Sequence, residues 1–160
     1  STFAIKVDLA GLERQLEADA AAVEAAARPA AQAAAQVLYE DVQRNVARIK
    51  KKTGNLARSI YQAHSKDRSQ GGREVYHVSW NAKKAPHGHL VEFGHLQRYE
   101  VTHDPKTGRF ITHKDRRLAT PMQISGRPFI RPAMSKFPQA MDAARDRLFE
   151  DLARKGLVRS

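Results

Sequence analysis

The chain contains no cysteine, which excludes a disulfide framework, a thiolate metal site and a cysteine nucleophile, and fits a protein that works in a reducing cytosol. Long apolar runs are missing as well. The longest weakly polar stretch, Ala18 to Ala35, is interrupted by Asp19, Glu24, Arg28 and Pro29, and alanine is too little apolar to drive insertion, so no transmembrane span is expected. Ser1 to Asp8 carries Lys6 and Asp8 and lacks the basic, apolar and small-residue succession of a secretory signal, so export is not expected. Neither G-x-G-x-x-G nor G-x-x-x-x-G-K-[ST] occurs, which leaves a nucleotide cofactor unsupported. No cysteine–histidine finger and no basic region joined to leucine heptads is present, so sequence-specific DNA readout has no recognisable carrier.

What the chain does have is an excess of positive charge, unevenly placed. The formal net charge is +11. Up to Gln43 there are three basic and seven acidic residues, net −4, whereas from Arg44 onward there are 25 basic and ten acidic, net +15. A field of this sign favours a polyanionic partner, either nucleic acid or an acidic protein face, with plain solvated charge as the bland alternative. At 160 residues the chain is expected to form one domain over 1–160 with a genuine core.

Thr2 to Leu9 alternates in polarity, with Phe3, Ile5 and Val7 on one side, as a half-buried strand does. From Leu12 to Ile49 apolar residues recur at helical spacing, and twelve of the eighteen residues from Ala18 to Ala35 are alanine, giving high helix propensity and a slim surface that a neighbouring backbone can approach. Pro29 cannot donate to the carbonyl four residues back. It either opens a second helix or kinks a single one, and two pieces sharing an approximate axis are expected. Lys50-Lys51-Lys52-Thr53-Gly54 supplies cations and a left-handed glycine to end that helix. Asn55 to Ser59 is at most a short turn. Ile60 to Ser65 and Glu74 to Trp80 read as a strand pair, and His89 to Phe93 as a helical turn closed by Gly94. Gln97 to His103 and Arg109 to His113 flank Asp104-Pro105-Lys106-Thr107-Gly108, a hairpin turn, so a protruding hairpin is expected over 97–117. Thr120 to Pro132 holds three prolines and Gly126 and is expected to be a stiff loop without regular hydrogen bonding. Ala133 to Lys155 repeats apolar residues at helical spacing and stops at Gly156. The fold class is therefore α+β: a long N-terminal helix and a C-terminal helix packed on a small, mainly antiparallel sheet with an extended hairpin.

Seven histidines raise a metal hypothesis, with His87-Gly88-His89, His95 and Glu92 as the tightest group. The spacing lacks the helix-phased pattern of zinc motifs, and solvated loop histidines are the favoured reading. A ribonuclease working by acid and base transfer would draw on His77, His87, His89 and Glu92, which no spacing singles out. No catalytic, cofactor or metal residue is assigned.

Three strings, in order, resemble the family of phage head–tail joining and tail completion proteins that includes minor tail protein Z-like subunits. Lys52-Thr53-Gly54-Asn55-Leu56-Ala57-Arg58-Ser59-Ile60 is similar to that family's TGxLxxSI segment after the long helix. Leu90-Val91-Glu92-Phe93-Gly94 resembles its xxEFG turn, and Arg127-Pro128-Phe129-Ile130-Arg131-Pro132-Ala133 its xPFxRPA approach to the last helix. Each string also has a physical reading: Thr53-Gly54 stops a helix, Glu92 pairs with an arginine or caps a backbone, and Phe129 between prolines anchors an aromatic in the core. The departure lies in Leu96 to Ser125, where a long charged hairpin replaces a shorter connection.

The resemblance implies a non-enzymatic virion subunit of the tail or neck, assembled in the host cytoplasm as a ring, sixfold, at the end of the tail that faces the head. Its partners would be copies of itself, a tail terminator or tube protein, head-side connector or stopper proteins, and genomic DNA passing through the lumen, with no membrane. Contact candidates are Lys50, Lys51, Lys52, Arg98, Lys106, Arg109, Lys114, Arg116 and Arg117. The structural motif residues are Thr53, Gly54, Leu56, Glu92, Phe93, Gly94, Pro128, Phe129, Arg131 and Pro132. A basic nucleic-acid-binding module without catalytic activity is the alternative.

Overall fold

The computed structural model describes residues 5–8, 20–49, 54–70 and 73–156. In chain order these form β1 (Ile5–Asp8), α1 (Ala20–Ala47), α2 (Asn55–Ser59), β2 (Ile60–His64), β3 (Val75–Trp80), α3 (Gly88–Phe93), β4 (Gly94–His103), β5 (Phe110–Ser125) and α4 (Phe137–Arg154). The architecture is α+β, as the sequence pattern requires. Of the segments read from sequence, 2–4 of the first strand, 9–19 and 50–53 lie outside the described residues.

β3 is the centre of a three-stranded antiparallel sheet in the order β1-β3-β2. Ile5 faces Val78 on one side, while Ile60 faces Trp80 and His64 faces Tyr76 on the other. Alternation along β3 puts Tyr76, Val78 and Trp80 on one face, and all three join the buried cluster that α1 and α4 share. α1 is the hub of that cluster, packing on the sheet and along α4. Its buried stripe is Ala26, Ala30, Ala31, Ala34, Ala35, Leu38, Val42 and Val46, met by Ala140, Ala144, Leu148 and Leu152 of α4. Where methyl groups alone separate two helices, the backbones come close and dispersion contacts are dense. No helix among the described residues is long and apolar enough to cross a membrane.

Two expectations are corrected. α1 is one continuous helix across Pro29, not two pieces. The lost hydrogen bond at Pro29 is outweighed because Ala26, Ala27, Ala30 and Ala31, on both sides of it, are essentially fully buried and need one unbroken axis to reach the core together. Thr120 to Pro132 is not all loop, because β5 continues to Ser125. Pairing runs from Gly94 opposite Ser125 to His103 opposite Phe110, wider than 97–117. The ten residues of β4 face sixteen of β5, and the surplus is taken up at two irregularities on either side of Tyr99. Pro121 falls between Arg117 and Met122, inside one of these, where its missing N–H interrupts no ladder bond.

The other stops behave as the sequence suggests. Gly54 is left-handed (φ 73°), though it leads into α2 and does not directly follow α1. Gly108 closes the hairpin turn at φ 71°, with the Asp104 N–H donating to the Arg109 carbonyl at 2.9 Å. The last helix begins with a 3-10 segment, Arg131–Lys136, before α4, because Pro132 and Pro138 each occupy a first turn where no N–H is needed. The α1–α4 seam tolerates no added volume. Ala34→Leu is expected to lower stability by about 1–3 kcal/mol, read as a drop in the urea midpoint with unchanged slope.

Candidate functional site

Two of the three strings meet at one buried carboxylate. Glu92, in the last turn of α3, has no exposed surface. Its Oε2 accepts the backbone N–H groups of Phe129 (2.7 Å) and Ile130 (3.0 Å), and its Oε1 accepts the backbone N–H (3.0 Å) and the Nε–H (3.1 Å) of Arg131. Arg131 then donates through Nη2 to the Glu92 carbonyl at 2.7 Å, and its guanidinium lies 4.7 Å from the centre of the Phe93 ring. Both carboxylate oxygens are saturated by donors that would otherwise be orphaned where the chain turns into the 3-10 segment.

Around this clamp the backbone is packed too closely for side chains. A Cβ on Gly126 would lie 2.8 Å from the Glu92 carbonyl oxygen, and one on Gly94 would lie 2.5 Å from the Ile124 carbonyl oxygen. Gly94 is also left-handed, at φ 77°. Arg127 N–H donates to the Val91 carbonyl at 2.6 Å, so the loop after β5 is hydrogen-bonded to α3 at the residue before Glu92 as well as at Glu92 itself. Phe129 is fully buried and meets Trp80 edge to face, with ring centres 5.5 Å apart. From α1, Asn45 donates its amide to the Phe129 carbonyl at 3.0 Å. The first string reaches the same end of α1: Leu56 is buried in the core, the Ser59 hydroxyl donates to its carbonyl at 2.6 Å, and Gln43 donates to the Ala57 carbonyl at 3.5 Å.

Of the structural motif residues, Glu92, Phe93, Gly94, Phe129 and Arg131 meet at the clamp, Pro128, Phe129 and Pro132 lie against the last turns of α1, Leu56 packs in the core and Gly54 leads into α2, while Thr53 lies outside the described residues. Gly126, Asn45 and Trp80 belong to the same assembly and sequence reasoning did not single them out. Only Gly126, ahead of a proline-rich string, offered a local signal. Arg48 and Arg127, with Ile49, Pro128 and Pro132, line a cleft of about 390 Å³ beside the clamp.

The contact candidates sit elsewhere. Arg98, Lys106, Arg109, Lys114, Arg116 and Arg117 all lie on the β4–β5 ribbon and are exposed, and Lys50, Lys51 and Lys52 lie outside the described residues. Arg116 pairs with Glu100 at 3.2 Å. At the ribbon tip, hydrogen bonds from the Thr107 hydroxyl and the Lys106 backbone N–H hold the Asp104 carboxyl below its ordinary pKa. The histidine candidates do not converge with Glu92. His87 and His89 flank the start of α3, and His77 is in β3, while the Glu92 oxygens are engaged with the 129–131 backbone. Burial, and then the neighbouring His89 charge, lower the His87 pKa. Among the described residues no group of three or more metal-binding side chains is found.

A family model described as "Bacteriophage HK97-gp10, putative tail-component" matches residues 10–94, from ahead of α1 to the first residue of β4. No curated protein and no solved structure matches the chain.

The clamp gives a direct prediction. Glu92→Ala leaves three backbone N–H groups and a guanidinium without their acceptor, and is expected to cost about 3–5 kcal/mol, measured by urea denaturation. Arg131→Ala is expected to cost less, because that side chain is 49% exposed and water replaces part of what it gives.

Proposed function

Because the chain belongs to the HK97-gp10-like family of bacteriophage tail components, we propose that it completes the tail and joins it to the head as a ring subunit around the DNA channel. The match over residues 10–94 carries this reading, since it spans α1, the β2–β3 pair and the Glu92 turn. In this reading the ring is sixfold and meets a tail terminator or tube protein on one side and head-side connector or stopper proteins on the other. Genomic DNA runs through its lumen, and assembly takes place in the host cytoplasm. The chain works by shape and surface and not by catalysis: the fully buried carboxylate of Glu92 is occupied in holding a loop. The clamp makes a rigid platform of α1, α3 and the start of α4, and from that platform the β4–β5 ribbon carries its basic side chains outward, towards DNA or towards acidic faces of adjoining rings.

A basic nucleic-acid-binding module is the second reading, favoured by the exposure of Arg98, Lys106, Arg109, Lys114 and Arg117 together on one ribbon. The two separate in one genetic and one binding measurement. Phage lacking this gene are expected to accumulate filled heads and free tails that electron micrographs show unjoined, and a Lys50, Lys51, Lys52→Glu variant is expected not to restore joining. Infectious particles that form without the protein would overturn the neck reading. Tight duplex binding by the purified chain, lost steeply with added salt, would favour the module.

A further inference from the structure

The β4–β5 ribbon has two strands, and its own chain covers little of it. Such a ribbon has marginal stability in water without a partner surface. Val101, Phe110 and Met122 on one face of it and Leu96 and Ile111 on the other are 36–53% exposed, and exposed apolar side chains gathered on a face mark an interaction site. Residues opposite one another in a ladder share a face. Gln97 with Met122, Tyr99 with Arg117, Val101 with Thr112 and His103 with Phe110 therefore lie together, a mixed face on which Met122, Val101 and Phe110 are exposed apolar groups and the Arg117 guanidinium lies between them. Lys114 lies in the irregular stretch beside it. Neither Lys114 nor Arg117 is in an ion pair among the described residues.

The complementary surface is on α4. Its buried stripe is Ala140, Ala144, Leu148 and Leu152. On the opposite side Asp142, Asp146 and Phe149 follow at helical spacing and are all exposed. Phe149 is 45% exposed. Asp142 reaches only Arg145, at 4.0 Å, and Asp146 is in no ion pair among the described residues. Acidic side chains beside an exposed aromatic match basic side chains within an apolar face.

We infer that the ribbon of one copy docks, by the face bearing Val101, Phe110, Met122 and Arg117, on the Asp142-Asp146-Phe149 stripe of the next copy. The inference rests on the ring reading above and names the contact that closes the ring. The two surfaces differ, so the contact is head-to-tail and can repeat around an axis. Ribbon-to-ribbon contact is disfavoured, since each ribbon carries six basic and three acidic residues over 94–125. The ten residues of β4 span about 33 Å at ~3.3 Å each, long enough to lie across a neighbouring helix.

The test is charge reversal on either side in the full chain, with assembly read by sedimentation velocity. The wild type is expected to sediment as a closed multimer, and Lys114→Glu with Arg117→Glu, or Asp142→Lys with Asp146→Lys, as a monomer. All four positions are exposed, so both variants are expected to keep the wild-type circular dichroism. The two variants mixed, or all four changes in one chain, are expected to recover the multimer, because each reversed ribbon then meets a reversed stripe. A multimer indifferent to both variants, or no recovery in either combination, overturns the contact. So does a wild-type chain that stays monomeric and gives no V101C–F149C cross-link in virions. Because joining of heads to tails is scored separately, a ring held by other surfaces refutes this contact and leaves the neck reading standing.

Discussion

The Glu92 carboxylate accepts four hydrogen bonds from residues 129–131 while fully buried, and most of the second half of the molecule is arranged to make that possible. Taking a carboxylate out of water costs several kcal/mol, roughly, unless its oxygens find donors of good geometry. The donors here are backbone N–H groups at a turn, which need an acceptor just as much. Each side's desolvation is offset by the other, so α3 and the loop after β5 have one low-energy relation. Gly94 and Gly126 follow from it: a Cβ on either would lie within 3 Å of the backbone that faces it where the ribbon leaves and returns, so only residues without a Cβ fit there.

Through this clamp the ribbon and the helical core become one mechanical unit. Phe129 extends the loop into the core against Trp80, and Asn45 ties it to α1, so displacing the ribbon base would disturb the aromatic pair and the long helix together. Such rigidity suits a protein that acts by presenting surfaces. The residues able to meet a partner are the basic and exposed apolar groups of β4–β5, a ribbon with no buried residue along either strand, and the acidic stripe of α4, on the outside of a helix whose inner face is packed in the core.

The alanine stripe serves the same end by different physics. Where Ala26 to Ala35 of α1 and Ala140 and Ala144 of α4 line the core there is little bulk to interdigitate, and methyl groups instead let backbones approach closely, while Leu38, Leu148 and Leu152 fill the rest. This explains how α1 stays continuous over Pro29. The packing on both sides of the proline is too extensive for one missing hydrogen bond to break the axis.

How far this was legible in the sequence depended on the range of the interaction. Helical spacing marked α1 and α4, β-branched and aromatic residues marked β2 and β3, and glycines marked the turns, because propensity, periodicity and turn chemistry are set within a few residues. The Leu90–Gly94 and Arg127–Ala133 strings were visible as strings, and Glu92 as a residue that would pair or cap. What the chain order could not supply was the partner. That Glu92 reaches the 129–131 backbone, that β1 pairs with β3 and not with β2, and that β5 runs on through Pro121 were decided by tertiary structure. Each depends on contacts between residues far apart in the chain, whose energy exists only once the core has brought them within hydrogen-bonding distance.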